Sequence, residues 1–318
     1  MDPHGMDVAE GVRWWGERQC RRADEALGAW LAGDAEGLHD FRVALRRLLS
    51  VVETFEPLLR LKGAPRRRLK RLIRRTNEAR DLEVAAAEVA GWAERLSEPA
   101  ATVAREWAEA LAQERDRAHV ELRAVLPRLW RRTGRRLAKA LKILEARRPL
   151  SWAQATAEGV RERADALRLA LARVSGPRDG AGLHRARLAC KRLRYLLEPF
   201  RDYDDDARLA VLHLKELQGL LGELHDLEGL RRRAGARMAQ GCESQMQALA
   251  EAVFYSGEEP AWCPPPLLGL VRALGERHRE GYAALEAFRS DSARWHGLAL
   301  SAAAVLTEPL PPAGGEEK

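Results

Sequence analysis

Apolar positions recur every three or four residues along almost the whole chain, which is the spacing of amphipathic α-helices. Gly and Pro residues fall between the periodic stretches, where helices are expected to stop. The pattern predicts eight long helices near residues 7–32, 38–60, 65–96, 99–146, 150–175, 182–201, 206–256 and 266–307. Pro127 is expected to kink the fourth helix, and a loop is expected over residues 257–266. The predicted fold class is all-α.

One part of the chain is repeated. Residues 38–55, LHDFRVALRRLLSVVETF, align without gaps with residues 183–200, LHRARLACKRLRYLLEPF, and share eight identical positions. Average residue usage would give about one or two such identities by chance. The same offset of 145 residues aligns residues 69–84 with 214–229. Two blocks in one register indicate an internal duplication, with a first half at 7–146, a second at 150–308 and a disordered tail at 309–318.

The repeated helix predicts two stripes, one apolar and one basic, on opposite faces. The basic positions of its two copies are His39, Arg42, Arg46, His184, Arg187 and Lys191. Charges on an exposed helix face are common and need no ligand. Between residues 60 and 80, however, ten basic residues stand against the single acid Glu78. Like charges repel, so an anionic partner is the simpler explanation.

A second row of cations follows Pro127. It consists of Arg128, Arg132, Arg135, Lys139 and Lys142, spaced three or four residues apart along one side of the predicted helix. Cations one helical turn apart, roughly 5–6 Å, can bind a chain of phosphates without reading any base.

The chain has a formal net charge of +7, and all but seven of its 54 Lys and Arg residues are Arg. A basic chain favours an anionic partner such as nucleic acid, polyphosphate or a membrane surface, and guanidinium groups bind phosphate oxygens two at a time. Genome composition explains the arginine bias equally well. The four cysteines form no CxxC pair and are expected to be reduced, mostly buried thiols. No signal-like N-terminus and no long apolar run is present, which predicts a cytoplasmic protein without a membrane partner.

Candidate catalytic groups are few. Glu53, Glu198, Asp81 and Asp226 recur at equivalent positions, but general acid–base chemistry would need a nucleophile or metal beside them. We expect these acids to orient arginines through ion pairs, and residues 204–206, all Asp, to form a solvated turn or helix cap. No Walker, GxSxG, HExxH or GxGxxG motif occurs. The sequence therefore predicts a protein that is not an enzyme and has neither cofactor nor metal.

Histidines and aromatics narrow the ligand class. His39 and His184 could each donate a hydrogen bond to phosphate, or could instead satisfy backbone groups at a helix start. Single-stranded nucleic-acid binders usually place aromatics beside their cations, yet only Tyr195 joins a basic face here, and the tryptophans are expected in the core. Nucleic acid is thus expected only as a non-specific polyanion.

The two repeated blocks, including EARDLEV and LQGLLGELHDLEGL, closely resemble the CHAD domain family. The resemblance implies two four-helix bundles related by approximate two-fold symmetry, with a shared basic surface that binds inorganic polyphosphate. The resemblance assigns polyphosphate binding to His39, Arg42, Arg46, Arg47, Lys70, His184, Arg187, Lys191, Arg192, Arg194 and Lys215. The charge pattern adds Arg74 and the row after Pro127 to the predicted binding residues.

The chain departs from this pattern in two ways. Gly219 and His225 stand opposite Arg74 and Arg80, so the second half is expected to contribute less. The family often accompanies a triphosphatase-type CYTH domain with an ExExK motif, which is absent here. Any catalysis would then come from a partner, such as a polyphosphate-processing enzyme, and granule proteins are further candidate partners. The alternatives are a general polyanion or nucleic-acid-binding module and an accessory subunit of a phosphate-processing enzyme.

Overall fold

The computed structural model describes residues 3–60, 65–256 and 265–307, and within these ranges the chain is helical and contains no β-strand. The α-helices are α1 (Val8–Leu31), α2 (Gly37–Phe55), α3 (Pro65–Arg75), α4 (Asn77–Ala93), α5 (Ala100–Lys142), α6 (Trp152–Ala172), α7 (Gly180–Leu197), α8 (Asp205–Ser256), α9 (Leu268–Ser290) and α10 (Ser292–Val305). The all-α prediction is confirmed.

Side-chain caps fix where several helices begin. Asp7 accepts hydrogen bonds from the amides of Ala9 and Glu10, and the Glu10 carboxylate accepts from the Asp7 amide, which forms a capping box at the start of α1. Asp204 accepts from the Ala207 amide at the start of α8. The helix-cap interpretation of the Asp204–Asp206 run therefore holds for its first residue.

The predicted helices at 65–96 and 266–307 are each divided in two. The first divides at Thr76, whose buried hydroxyl donates to carbonyls of the preceding turn, 3.3 Å from Leu72 O and 3.0 Å from Ile73 O. Such local bonds weaken and bend a helix. The second divides at Asp291. By contrast, α5 continues through Pro127. The predicted tail and most of the predicted loop at 257–266 lie outside the described residues.

Buried apolar side chains form three core clusters. The first joins α6, α7, α10 and the start of α8 to parts of α1 and α2, around Trp152, Phe200 and Trp295. The second joins the later half of α1 to α2, α3 and the later part of α5, around Phe41 and Trp130. The third joins α4 and the start of α5 to α8 and α9. The third cluster therefore contains residues from both predicted halves of the chain.

The two copies of the repeated block are α2 and α7, and these helices contact each other directly. Helix α2 also packs on α1 and α3, and α7 packs on α6 and α8. No helix in the described residues is long and apolar enough to cross a membrane. The contact between α2 and α7 places the cations of the two copies near each other.

Candidate anion-binding surface

Basic residues from both copies meet beside the contact of α2 and α7. Burial lowers the pKa of Arg187 and Lys191 of α7, and Arg46 of α2 lies close enough for its charge to lower both further. His184 and His225 are in electrostatic contact with Arg187 and Lys191. On the other side, His39 is in electrostatic contact with Arg46 and Arg80. We call this set the central cluster, and its members are His39, Arg46, Arg80, His184, Arg187, Lys191 and His225.

Lys191 of the central cluster is a buried amine with other cations close to it. Its side chain is buried, and burial, reinforced by Arg187, Arg46 and Arg194, lowers its pKa to about 7. Asp226 opposes this shift without cancelling it. The Nε of Arg187 is buried and has no hydrogen-bond acceptor among the described residues. A charged donor left without an acceptor is costly unless a ligand provides one.

The cluster histidines are held neutral. The His184 and His225 rings lie 5.5 Å apart between centroids. Burial, followed by Arg187, lowers the pKa of both, and for His225 the value is about 4. His39 has a lowered pKa because of burial and then Arg80. At pH 7 each ring can donate one hydrogen bond and accept one.

Arg42 is placed differently from the helical-wheel expectation. The helical spacing of α2 predicted that Arg42 lies on the basic stripe, but this residue is only 4% exposed. Its guanidinium donates to Ile73 O at 3.1 Å, Thr76 Oγ1 at 2.5 Å and Asn77 Oδ1 at 3.0 Å. Arg42 therefore fastens α2 to the junction of α3 and α4, which a wheel of α2 alone cannot reveal.

The recurring glutamates form ion pairs with arginine and lysine, as expected from the sequence. Glu198 is buried and accepts two hydrogen bonds from Arg47, at 2.6 and 3.1 Å, and Arg194 lies 3.4 Å away. Tyr195 lies beneath both guanidiniums, 5.9 Å from Arg47 and 4.9 Å from Arg194. This network holds α2 against α7 next to the central cluster.

Glu53, the equivalent of Glu198, pairs with α3 instead. Its carboxylate lies 2.6 Å from Lys70 Nζ and 3.0 Å from Arg66 Nε. Burial opposes ionisation, but hydrogen bonds from Lys70 and Arg66 leave the pKa of Glu53 below its usual value. The predicted binding residue Lys70 is thus already paired with an acid.

The recurring aspartates face the central cluster without such close pairing. Burial raises the pKa of Asp226 although Arg187 and Lys191 lower it, and Asp81 is close enough to raise it further. Both line a cleft of about 460 Å³ between α4 and α8, together with His225, Arg232 and Arg233. The predicted ion-pairing role is therefore less direct for these two acids than for the glutamates.

The remaining predicted binding residues lie outside the central cluster. Arg74 and Arg132 line a groove between α3 and α5 with Arg68, Arg71 and Arg75. The others are exposed on α5, α7 and α8, namely Arg128, Arg135, Lys139, Lys142, Arg192 and Lys215. Of the predicted binding residues, the structure thus brings together Arg46, Arg187, Lys191, His39 and His184. It places the α5 row elsewhere.

The predicted binding residues did not include Arg80, His225, Arg68, Arg71 or Arg75. The sequence does contain a pattern that singles out two of them. Arg80 and His225 are equivalent under the 145-residue offset, and each precedes a recurring aspartate. The three other arginines belong to the basic run at 60–80. Among the residues that the structure describes, no group of three or more His, Cys, Asp or Glu is arranged to hold a metal ion.

The fold and the central cluster define a class of protein: an all-helical chain in which two related helices bring cations together. The sequence model of the CHAD domain matches residues 16–235. This chain belongs to the CHAD domain family. No curated protein matches it.

Two solved structures share the fold. The CHAD domain from the plant Ricinus communis superposes with a TM-score of 0.64 at 23% identity, over 92% of this chain and 93% of that one. PptA from Streptomyces chartreusis gives a TM-score of 0.58 at 18% identity, over 94% of this chain and 99% of that one. At these identities the similarity establishes the fold alone.

Proposed function

We propose that this chain binds inorganic polyphosphate at the central cluster and performs no chemistry on it. The observation that carries the proposal is the convergence of Arg46 with Arg187 and Lys191, from two helices far apart in sequence. Their mutual repulsion lowers the stability of the free protein. A chain of phosphates laid across them would relieve it.

The surroundings of the central cluster favour phosphate over bases. Tyr195, the aromatic residue on this face, is buried between Arg47 and Arg194, so its ring is not open to a stacking base. Arg187 offers a buried Nε, and the neutral histidines add hydrogen-bond donors. Phosphate oxygens can accept from all of these groups.

Non-catalytic binding agrees with how the acids are used. Glu198 and Glu53 are committed to ion pairs with arginine and lysine, and Asp226 faces Arg187 and Lys191. Carboxylates held in this way fix the direction of the cations. A partner enzyme would supply any turnover, and polyphosphate granule proteins are further proposed partners. The proposed setting is the cytoplasm.

The proposed architecture has two bundle-like halves, 7–146 and 150–308, related by duplication and approximate two-fold symmetry. It is supported by the repeat and by the direct contact of the two equivalent helices. The equivalents Glu53 and Glu198 both bind cations, although of different helices. On this proposal the central cluster lies where the two halves meet.

The test compares long-chain polyphosphate with single-stranded RNA of equal charge near physiological salt. We expect Arg46→Gln with Arg187→Gln to weaken polyphosphate binding roughly 100-fold, since each charge-assisted hydrogen bond contributes about 1.5 kcal/mol or more. The control is Arg117→Gln with Arg272→Gln, which removes the same charge from exposed positions on α5 and α9.

Each outcome of this test has a definite meaning. Equal affinity of the wild type for RNA and polyphosphate would favour a general polyanion binder. Equal weakening by the control would overturn the central cluster as the site. Release of phosphate from polyphosphate in the presence of a divalent metal would contradict the non-catalytic role.

A further inference from the structure

A second group of cations lies in the groove between α3 and α5. The groove has a volume of about 530 Å³, and five arginines surround a floor of Leu72, Leu129 and Thr133. The arginines are Arg68, Arg71, Arg74, Arg75 and Arg132. Within the described ranges, no acidic side chain lines it. We call this feature the arginine groove.

Four of the five arginines of the arginine groove have charges that no acid in the described part of the chain compensates. Arg71, Arg74, Arg75 and Arg132 form no ion pair with any acid that the structure describes. Burial, followed by Arg136, Arg132 and Arg71, lowers the pKa of Arg68. Elsewhere, exposed arginines such as Arg231 and Arg277 pair with neighbouring glutamates. A solvated helix face normally gains such pairs, so their absence here needs another cause.

Helix α3 carries basic residues on two of its sides. One side of α3 faces α2, where Lys70 and Arg66 pair with Glu53. Its other side faces α5, where Arg68 lies near Arg132 and Arg136. The arginine groove and the central cluster come near each other at the end of α3. Arg42 donates to the carbonyl of Ile73, the residue before Arg74. The pKa of Arg42 is lowered by burial and then by the charges of Arg46 and Arg80, so it also lies close to two members of the central cluster.

The groove belongs to the first half alone. At the 145-residue offset, the equivalents of Arg71, Arg74 and Arg75 are Glu216, Gly219 and Leu220. A basic composition inherited evenly along the chain would not separate the two copies in this way. The difference indicates a binding role acquired or retained on one side.

We propose that the arginine groove is a second phosphate site, which holds a further stretch of the polyphosphate chain bound at the central cluster. This inference rests on the proposed function. Two sites on one ligand make the second contact intramolecular, so affinity grows once the chain is long enough to reach both. The protein would therefore prefer long chains, whereas a short ligand would occupy each site separately.

The experiment uses the full chain, with tripolyphosphate as the short probe and long-chain polyphosphate as the long one. The groove variant is Arg71→Gln, Arg75→Gln and Arg132→Gln, all at exposed positions on helices. The control variant is Arg117→Gln, Arg173→Gln and Arg272→Gln, which removes equal charge from exposed positions elsewhere. The central variant is Arg46→Gln with Arg187→Gln. Circular dichroism melting verifies that each is folded.

Calorimetry should give two tripolyphosphate molecules per wild-type chain, and one for either the groove or the central variant. For long chains we expect the groove variant to bind at least about tenfold more weakly than the control variant, because linked sites gain that much or more. One tripolyphosphate per wild-type chain, or long-chain affinity equal to that of the control, would overturn the second site. If only the central variant then lost affinity, the proposed function would stand; if neither did, both proposals would fail.

Discussion

Arg42 and Arg46 occupy successive turns of α2 but have different environments. Arg42 is buried and donates hydrogen bonds to Ile73, Thr76 and Asn77. Arg46 is half-buried and faces Arg187 and Lys191 of α7. The first arrangement serves stability and the second is suited to a ligand, so the same substitution should have opposite consequences at the two positions.

We expect Arg42→Met to lower the free energy of unfolding by roughly 2–4 kcal/mol, because buried acceptors lose a charged donor. Arg46→Met should change it by less than about 1 kcal/mol, since no buried partner is left behind. Urea unfolding measures both, and polyphosphate titration should show the larger loss of affinity for Arg46→Met. A large stability loss from Arg46→Met would mean that Arg46 is structural.

Lys191 should make binding depend on pH. Its pKa of about 7 in the free protein should rise when phosphate offsets Arg187, Arg46 and Arg194. Above pH 7 binding therefore takes up a proton, and affinity falls as pH increases from 7 towards the pKa in the complex. Below pH 7 Lys191 is charged in both states and adds no dependence.

The matched variant is Lys191→Arg, since a guanidinium stays charged throughout this range. Calorimetry in two buffers with different heats of ionisation would detect proton uptake at pH 8 in the wild type and little in the variant. An identical uptake in both proteins would assign the proton to another group.

At the scale of elements, close packing of α1 on α6 depends on a missing side chain. A Cβ at Gly11 of α1 would overlap the ring of Trp152, which is fully buried at the start of α6. Gly28, later in the same helix, has no neighbour within 4 Å of such an atom. The two glycines of α1 thus provide an internal comparison.

We expect Gly11→Ala to destabilise the protein by about 1–3 kcal/mol or more, as overpacking does. Gly28→Ala should stabilise it by up to about 1 kcal/mol, because alanine favours helix. Thermal or urea unfolding of the two variants gives the comparison. Equal effects would show that the contact of α1 with Trp152 relaxes without cost.

The spacing of apolar residues did not predict where two of the helices break. The apolar spacing continues across Thr76 and Asp291, so the sequence predicted unbroken helices there. Arg42 of α2 donates to Thr76 and to the carbonyl of Ile73, and this tertiary contact stabilises the turn between α3 and α4. A local pattern contains no information about a partner on another helix.

For the whole molecule, the all-helical class and the family were predictable because both are encoded in local spacing and in the repeated motif. The sequence also predicted that Glu53 and Glu198 form ion pairs with basic residues. It did not predict their partners, because Arg66 and Arg47 reach them from other helices. The arginine groove was missed as a feature because its members come from α3 and α5, and only folding brings these helices together.

The third core cluster joins the region matched by the family's sequence model to helices beyond it. That match stops at residue 235, yet α8 continues to Ser256, and Leu270 and Leu274 of α9 are buried in the same cluster as Leu227 and Leu230 of α8. Trp295 of α10 is likewise enclosed by the first cluster. A fragment cut at the last matched residue would expose these surfaces to water and lose their hydrophobic stabilisation. An independently stable fragment must therefore include α9 and α10 as well as the matched residues.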